Sequence, residues 1–289
     1  MIISIKHYCE IIKPGIIFGN IILIMGGFLF SSHIKFSPFL FLNTILGTSL
    51  VMASACVLNN LIDFDIDQKM KRTKNRVLAR KLIKPINAII FSLFLGIIGV
   101  FILGYLVNYL SMFLSVFGFL VYVFLYTLIY KRNSIYSTFV GSFSGSIPSV
   151  IGHTAATNNI NLCAVLFFIT FVFWQMAHFY SISIFRLNDY KNAKIPVFSV
   201  IKGVYLTKKH IVYYIVGFII SNIILKILNY ISDKCLFFLF IIDFFWLYLS
   251  FVNLNNRNKE NHKNSLQLFY FSIVVVVMFN FLISLDFIF

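Results

Sequence analysis

Apolar residues run along this chain in long blocks, with polar and charged positions gathered between them. A helix needs about 20 apolar residues to cross the hydrocarbon core of a bilayer. Nine blocks of that kind can be read, at about 16–32, 37–60, 86–105, 110–130, 138–157, 162–184, 210–228, 235–253 and 267–286. Lipid offers no partner for backbone polar groups, and the alternation of barrel strands is absent, so every block is expected to be helical. The expected fold is all-α: one polytopic transmembrane domain over 1–289, with no soluble domain beside it.

Charge orients this frame. Only 11% of the 289 residues are charged and 60% are hydrophobic, whereas a soluble domain carries roughly 25% charged residues. Of the 24 lysines and arginines, 21 fall on one side of the nine-span map. They are Lys6 and Lys13, eight residues in 61–85, Lys131 and Arg132, six residues in 185–209, and Arg257, Lys259 and Lys263. Lys35, Lys226 and Lys234 fall near the other side. Basic loops stay cytoplasmic, so the N-terminus is expected inside and the C-terminus on the opposite side. The net charge of +15 therefore populates loops and does not indicate a nucleic-acid partner. Cys9, Cys56, Cys163 and Cys235 are scattered without a CxxC pair, which supports neither disulfides nor a zinc site. No cleavable signal peptide is expected.

The chemistry gathers in the two longest loops on the basic side. In NNLIDFDIDQKMKRTKNR (59–76), continuation of the second helix would place Asn59, Asp63 and Asp67 on one face, with Asp65 turned away. The chain has only nine acidic residues, and three crowd into five positions here. An aspartate in a membrane costs about 2.5–3.5 kcal/mol at mid-bilayer, so function is its default explanation. Two carboxylates with an amide oxygen suit Mg²⁺, which leaves its other positions to water and phosphate oxygens. Lys71, Arg72, Lys74 and Arg76 follow, as cations for those phosphates. Acids for a metal beside bases for a phosphate indicate a diphosphate site.

The second constellation is WQMAHFYSISIFRLNDYKNAKIPV (174–197), where Gln175, His178, Ile182, Arg186 and Asp189 share one helical face. Asp189 is a fourth acid at this boundary, able to meet the first pair through a metal or through Arg186. His178, deeper and beside Gln175 and Trp174, suits a structural hydrogen bond, a haem iron or a base near neutral pH. His153 is a weaker candidate at the far end of the fifth span. That span, with GSFSGSIPSVIG (141–152), reads as a close-packing helix. Polar ends of spans 2 and 6 on one side suggest two halves meeting at a central cavity open to the cytoplasm.

The Asn59-x3-Asp63-x3-Asp67 pattern resembles the first aspartate motif of the UbiA-type intramembrane prenyltransferases. KPGIIFGN (13–20), NNLIDFDIDQKMKRTKNRVL (59–78), YTLIYKRNSIYSTFVGSFSGSIPSVIG (126–152) and WQMAHFYSISIFRLNDYKNAKIPV narrow the resemblance to the bacterial protohaem IX farnesyltransferases, or haem O synthases. The resemblance implies transfer of farnesyl from farnesyl diphosphate to a vinyl carbon of protohaem (haem B), with addition of water. It implies that Asn59, Asp63 and Asp67 hold Mg²⁺, and that Lys71, Arg72 and Arg76, joined by Lys131 and Arg132, bind the diphosphate. Asp189 with Arg186 would complete that site, and His178, Gln175 and Trp174 would face the haem. His178 and Asp189 are the candidate bases for the addition of water. A bacterial inner-membrane location and a haem-copper terminal oxidase as recipient of the product are implied likewise.

The chain departs from the family pattern at Phe185, where a second D-x-x-x-D motif would place its first acid. It also departs at Ala177 and Val77, where proline is usual, and at Lys194, where glycine is usual. An aromatic-acid prenyltransferase is the alternative enzyme, disfavoured by 126–152 and 174–197. An ion-coupled transporter is a remote alternative, because its acids would lie at the midplane and not at one face.

Overall fold

The structure, a computed structural model, describes residues 5–32, 36–255 and 261–286. Lys35, Arg257 and Lys259, used above to orient the chain, lie outside the described residues. Nine long helices are present among the described residues: α1 (Pro14–Ser31), α2 (Pro38–Ile62), α3 (Pro85–Val107), α4 (Tyr109–Asn133), α5 (Ser137–Thr157), α6 (Leu162–Phe185), α7 (Val204–Ile227), α8 (Asp233–Asn255) and α9 (Asn261–Leu285).

The sequence starts these helices by familiar means. Proline opens α1, α2 and α3, where its missing N–H costs nothing. Asn108 and Asn161 cap α4 and α6, accepting the N–H groups of Ser111 at 2.8 Å and Ala164 at 3.1 Å.

Each helix packs against its successor and α9 returns to α1, which closes a ring; α1 and α2 with α5, and α6 with α9, make contacts across it. Eight of the nine are long and apolar enough to cross a membrane. The ninth, α5, is enclosed by its neighbours, and Ser142, Ser146, Ser149 and Thr154 on it are fully buried. Protein, not lipid, covers those hydroxyls, and each bonds a carbonyl one turn back. The outward faces carry the opposite character, with Phe18, Ile97, Phe101, Phe113 and Phe237 all more than 60% exposed. Close approach of α1 to α5 depends on glycine: a Cβ on Gly152 would lie 2.2 Å from the Ile24 carbonyl oxygen, and one on Gly27 would lie 2.1 Å from that of Ser149.

Three expectations shift. Helix α2 does not run through the aspartates; it ends at Ile62, and a short helix Phe64–Asp67 follows. Helix α6 stops at Phe185, with Arg186 at φ −104° and ψ 18° turning the chain into the short helix Leu187–Asn192. Helix α7 begins at Val204, not near 210, because the buried Lys208 ammonium donates to the Asn253 carbonyl at 2.6 Å and is tolerated inside the helix.

The loops after α2 and α6 then fold onto each other. Ile66 and Met70 from the first meet Ala193, Ile195 and Val197 from the second in a small apolar core. This cap closes the basic end of the ring.

Candidate diphosphate and haem site

The helical hydrogen bonds that link α2 to its short continuation keep the acids aligned. Asp63 N–H donates to Asn59 O at 2.9 Å, and Asp67 N–H donates to Asp63 O at 2.8 Å. Asn59, Asp63 and Asp67 are all buried, at 2%, 0% and 3% exposure, which for carboxylates requires partners.

Those partners come from distant parts of the chain. Asn59 Nδ2 donates to Asp63 Oδ2 at 2.9 Å and to Thr127 Oγ1 on α4 at 3.0 Å, while Lys13 donates its ammonium to Asn59 Oδ1. Lys131, at the end of α4, pairs with Asp63. Arg76 grips Asp67 with one nitrogen at 2.7 and 2.9 Å from its two oxygens. Asp63 Oδ1 is buried without a partner. Asp65 is exposed, as its position on the opposite side of the turn requires. Arg132 is committed to it at 2.7 and 3.0 Å and to Ile62 O at 2.6 Å, so of the Lys131–Arg132 pair only Lys131 reaches the buried acids. That hydrogen-bonded guanidinium holds the Asp65 carboxyl below its ordinary range.

The reach of α4 depends on its geometry. Its segment Val121–Tyr130 is wound as a π-helix, with Thr127 Oγ1 donating to Tyr122 O at 2.8 Å. Wide turns of this kind recur at functional sites. Tyr122 and Tyr126 stack at 5.6 Å beside the acids, and the Lys131 ammonium lies 5.9 Å from the Tyr126 ring.

A cavity of about 260 Å³ adjoins the acids, lined by Lys13, Arg72, Arg76, Asn60, Asn75 and Glu10 among others. Sequence reasoning missed Lys13 as a site residue. The one signal in the sequence was a lysine directly before the proline that opens α1; the structure adds a left-handed backbone at φ 56°, uncommon for a residue with a side chain. Burial and the Arg76 guanidinium pull its ammonium down to about 7.

Asp189 does not pair with Arg186. Its Oδ1 accepts the backbone N–H of Lys71 at 3.0 Å, tying the second loop to the first. Arg186 lies over the Phe185 ring at 5.2 Å, and Phe185 packs against Phe269. The second motif thus contributes one carboxylate. Half-buried Tyr190 next to it has its hydroxyl pushed above its ordinary value by desolvation.

The donor set fits a divalent cation of the Mg²⁺ type. It consists of two carboxylates and an amide oxygen, with one carboxylate oxygen unpartnered. Among the described residues no cluster of three or more His, Cys, Asp or Glu forms a cage, so water and phosphate oxygens would complete the shell.

The three residues expected to face haem split in direction. Gln175 Nε2 donates to Gly145 O on α5 at 3.1 Å, whereas Trp174 Nε1 donates to Ser272 O on α9 at 2.7 Å. The His178 ring stacks on Trp174 at 4.9 Å, has Phe269 at 4.9 Å, and places Nδ1 2.7 Å from Ser272 Oγ. His153 lies at the far end of α5, with Nδ1 2.6 Å from Ser31 Oγ.

Comparison with known proteins adds a second line. A profile of the UbiA prenyltransferase family matches residues 20–274. The protoheme IX farnesyltransferase of Cronobacter sakazakii is 44% identical over 284 residues, which is 98% of this chain and 95% of that protein. That of Blochmanniella floridana is 44% identical over 290 residues, 99% of each. Among solved structures, a digeranylgeranylglyceryl phosphate synthase superposes with a TM-score of 0.79 at 19% identity, covering 97% of each chain. A UbiA homologue from Archaeoglobus fulgidus bound to GPP and Mg²⁺ superposes with a TM-score of 0.70 at 11% identity, covering 96% of this chain and 99% of that one.

Proposed function

This chain belongs to the UbiA prenyltransferase family, and from that premise we propose that it farnesylates protohaem IX, releasing diphosphate and yielding haem O. The observation that carries the reading is the buried Asp63 carboxylate, with one bare oxygen, inside a ring of cations that borders a cavity. Relatives 44% identical over nearly the whole chain support the choice of haem as acceptor.

Asn59, Asp63 and Asp67 would hold Mg²⁺, which when bound neutralises charge on the departing diphosphate. The chain's own cations do the rest of that work. Lys13, Arg72 and Arg76 line the cavity and Lys131 reaches the buried acids, so positive charge stands in place before the bond breaks. Lys71 joins them from the same loop, its backbone held by Asp189. Arg186, which lies over Phe185, is proposed to reach the diphosphate from the second loop. The apolar cap and the tyrosine pair on α4 keep water from the allylic cation until the vinyl carbon attacks it. Two electrons of the vinyl double bond form the new carbon–carbon bond, water adds to the cation left beside the ring, and one proton is released. Asp189 is the proposed acceptor of that proton.

Gln175, Trp174 and His178 border the haem-facing part of the ring. The basic end, with the diphosphate site, faces the cytoplasm of a bacterial inner membrane, and a terminal oxidase receives the product.

The test is reaction of the detergent-purified protein with protohaem, farnesyl diphosphate and Mg²⁺, read by mass spectrometry. A haem bearing one farnesyl group plus water, lost in Asp63→Ala, is the expected result. Verified folded protein that prenylates only an aromatic acid would overturn the acceptor assignment.

A further inference from the structure

Ser272 sits on α9, outside every motif discussed above, and makes three hydrogen bonds that together decide the state of one ring. Its hydroxyl donates to Phe269 O at 2.6 Å, which uses its only proton. The same oxygen lies 2.7 Å from His178 Nδ1; with its proton given to Phe269 O it accepts there, which assigns the ring hydrogen to Nδ1. Its backbone carbonyl accepts Trp174 Nε1–H at 2.7 Å, and the Trp174 indole lies parallel to the imidazole within 19°. The ring is thus fixed in tautomer by Ser272 and in plane by Trp174 and Phe269.

In this tautomer Nε2 has no hydrogen and keeps its lone pair. His153 Nε2 is buried without a partner, whereas His178 Nε2 is not among the buried unpartnered atoms of the described residues and its ring is only half-buried. We propose that Ser272 is a positioning residue that holds His178 as the Nδ1–H tautomer and so presents Nε2 as the axial ligand to the iron of the haem substrate. This rests on the reading of haem as acceptor. Ligation would orient the porphyrin and hold its vinyl edge in one place during transfer. The hydrogen bond at Nδ1 raises the basicity of Nε2, the arrangement that histidine ligands to metals generally need.

The experiment loads the purified full-length protein with protohaem, reduces it, and records resonance Raman spectra for an iron–histidine stretching band. Wild type shows the band, His178→Ala lacks it, Ser272→Ala shifts it, and Ser272→Thr, which keeps the hydroxyl, restores it. Haem affinity falls about 10- to 100-fold in Ser272→Ala, the usual cost of removing a ligand's supporting partner. Circular dichroism and gel filtration of each variant separate this from misfolding, and Ser272→Thr gives a second, milder readout. A band that persists in His178→Ala, or is unmoved in Ser272→Ala, overturns the proposal. The farnesylation assay runs in parallel: product without an iron–histidine band sinks this inference alone. A band without product sinks the acceptor reading and leaves the ligand assignment standing.

Discussion

Asp189 Oδ1 accepts the backbone N–H of Lys71 at 3.0 Å, across 118 residues of sequence. The bond joins the loop after α6 to the loop after α2, with the Ile66–Met70–Ile195 core beneath it. Asp189→Ala removes a charge-assisted bond, worth about 1.5–3 kcal/mol, and should loosen both loops. Hydrogen exchange of residues 68–76 is expected to quicken about tenfold or more, while Asp189→Asn, which keeps an acceptor, stays nearer wild type. Equal exchange in both variants would show that the carboxylate serves chemistry without clamping the loops.

Lys13 reaches Asn59 and lines the cavity with Arg72 and Arg76. Lys13→Met should raise KM for farnesyl diphosphate about 10- to 100-fold, the equivalent of one charged hydrogen bond, with less change in haem binding. Steady-state kinetics varying each substrate separately check this; an unchanged KM for farnesyl diphosphate contradicts it.

Lys194 takes a left-handed backbone, φ 56°, at the end of the short helix Leu187–Asn192. Its N–H donates to Lys191 O, and that of Ile195 donates to Tyr190 O, both at 3.0 Å, which is the closing pattern glycine favours. Lys194→Gly should stabilise the protein by about 1 kcal/mol, the strain of a side chain there. A thermal melt in detergent reads the change, and a lowered Tm would show that the lysine side chain makes a compensating contact.

Gly152 lets α5 touch α1. Gly152→Ala pushes a Cβ to 2.2 Å from Ile24 O, a backbone atom that cannot rotate away. Overpacking of this kind costs about 1–3 kcal/mol and sometimes more, so the yield of monodisperse protein should drop. Gly15→Ala, where a Cβ meets nothing within 4 Å, is the matched control.

Asn222 Nδ2 donates to Asp243 Oδ2 at 2.8 Å between α7 and α8, with both side chains buried. Asp243→Leu alone leaves the amide unsatisfied and should cost about 1 kcal/mol. Asn222→Leu combined with Asp243→Leu should recover most of it, because two apolar groups replace a buried polar pair whose Asn222 Oδ1 and Asp243 Oδ1 are themselves without partners. Detergent unfolding of the four proteins in this cycle measures the coupling.

The hydropathy of the chain made the long helices legible, since a 20-residue apolar block has one stable form in lipid. The aspartate pattern was legible too, because i, i+4 spacing survives the break after Ile62. Helix α5 was read correctly as a packing helix from its small residues, although its hydroxyls depress its hydropathy. Less could be read where contacts run between distant segments. Nothing in the spacing says that Arg132 turns to Asp65 while Lys131 turns to Asp63. Gln175 and His178, three apart on one helix, find different partners, because α5 takes one side chain and α9 the other.

Sequence alone determined the multi-pass membrane class, the long apolar helices, and the crowding of acids and bases in the same loops. These follow from local composition, which lipid and water sort without reference to distant contacts. Tertiary structure decided which cation meets which acid, that Lys13 and Thr127 join the buried acid cluster, and that His178 meets Ser272. Each depends on side chains from separate helices arriving within about 3 Å of one another, and only the closed ring brings them there.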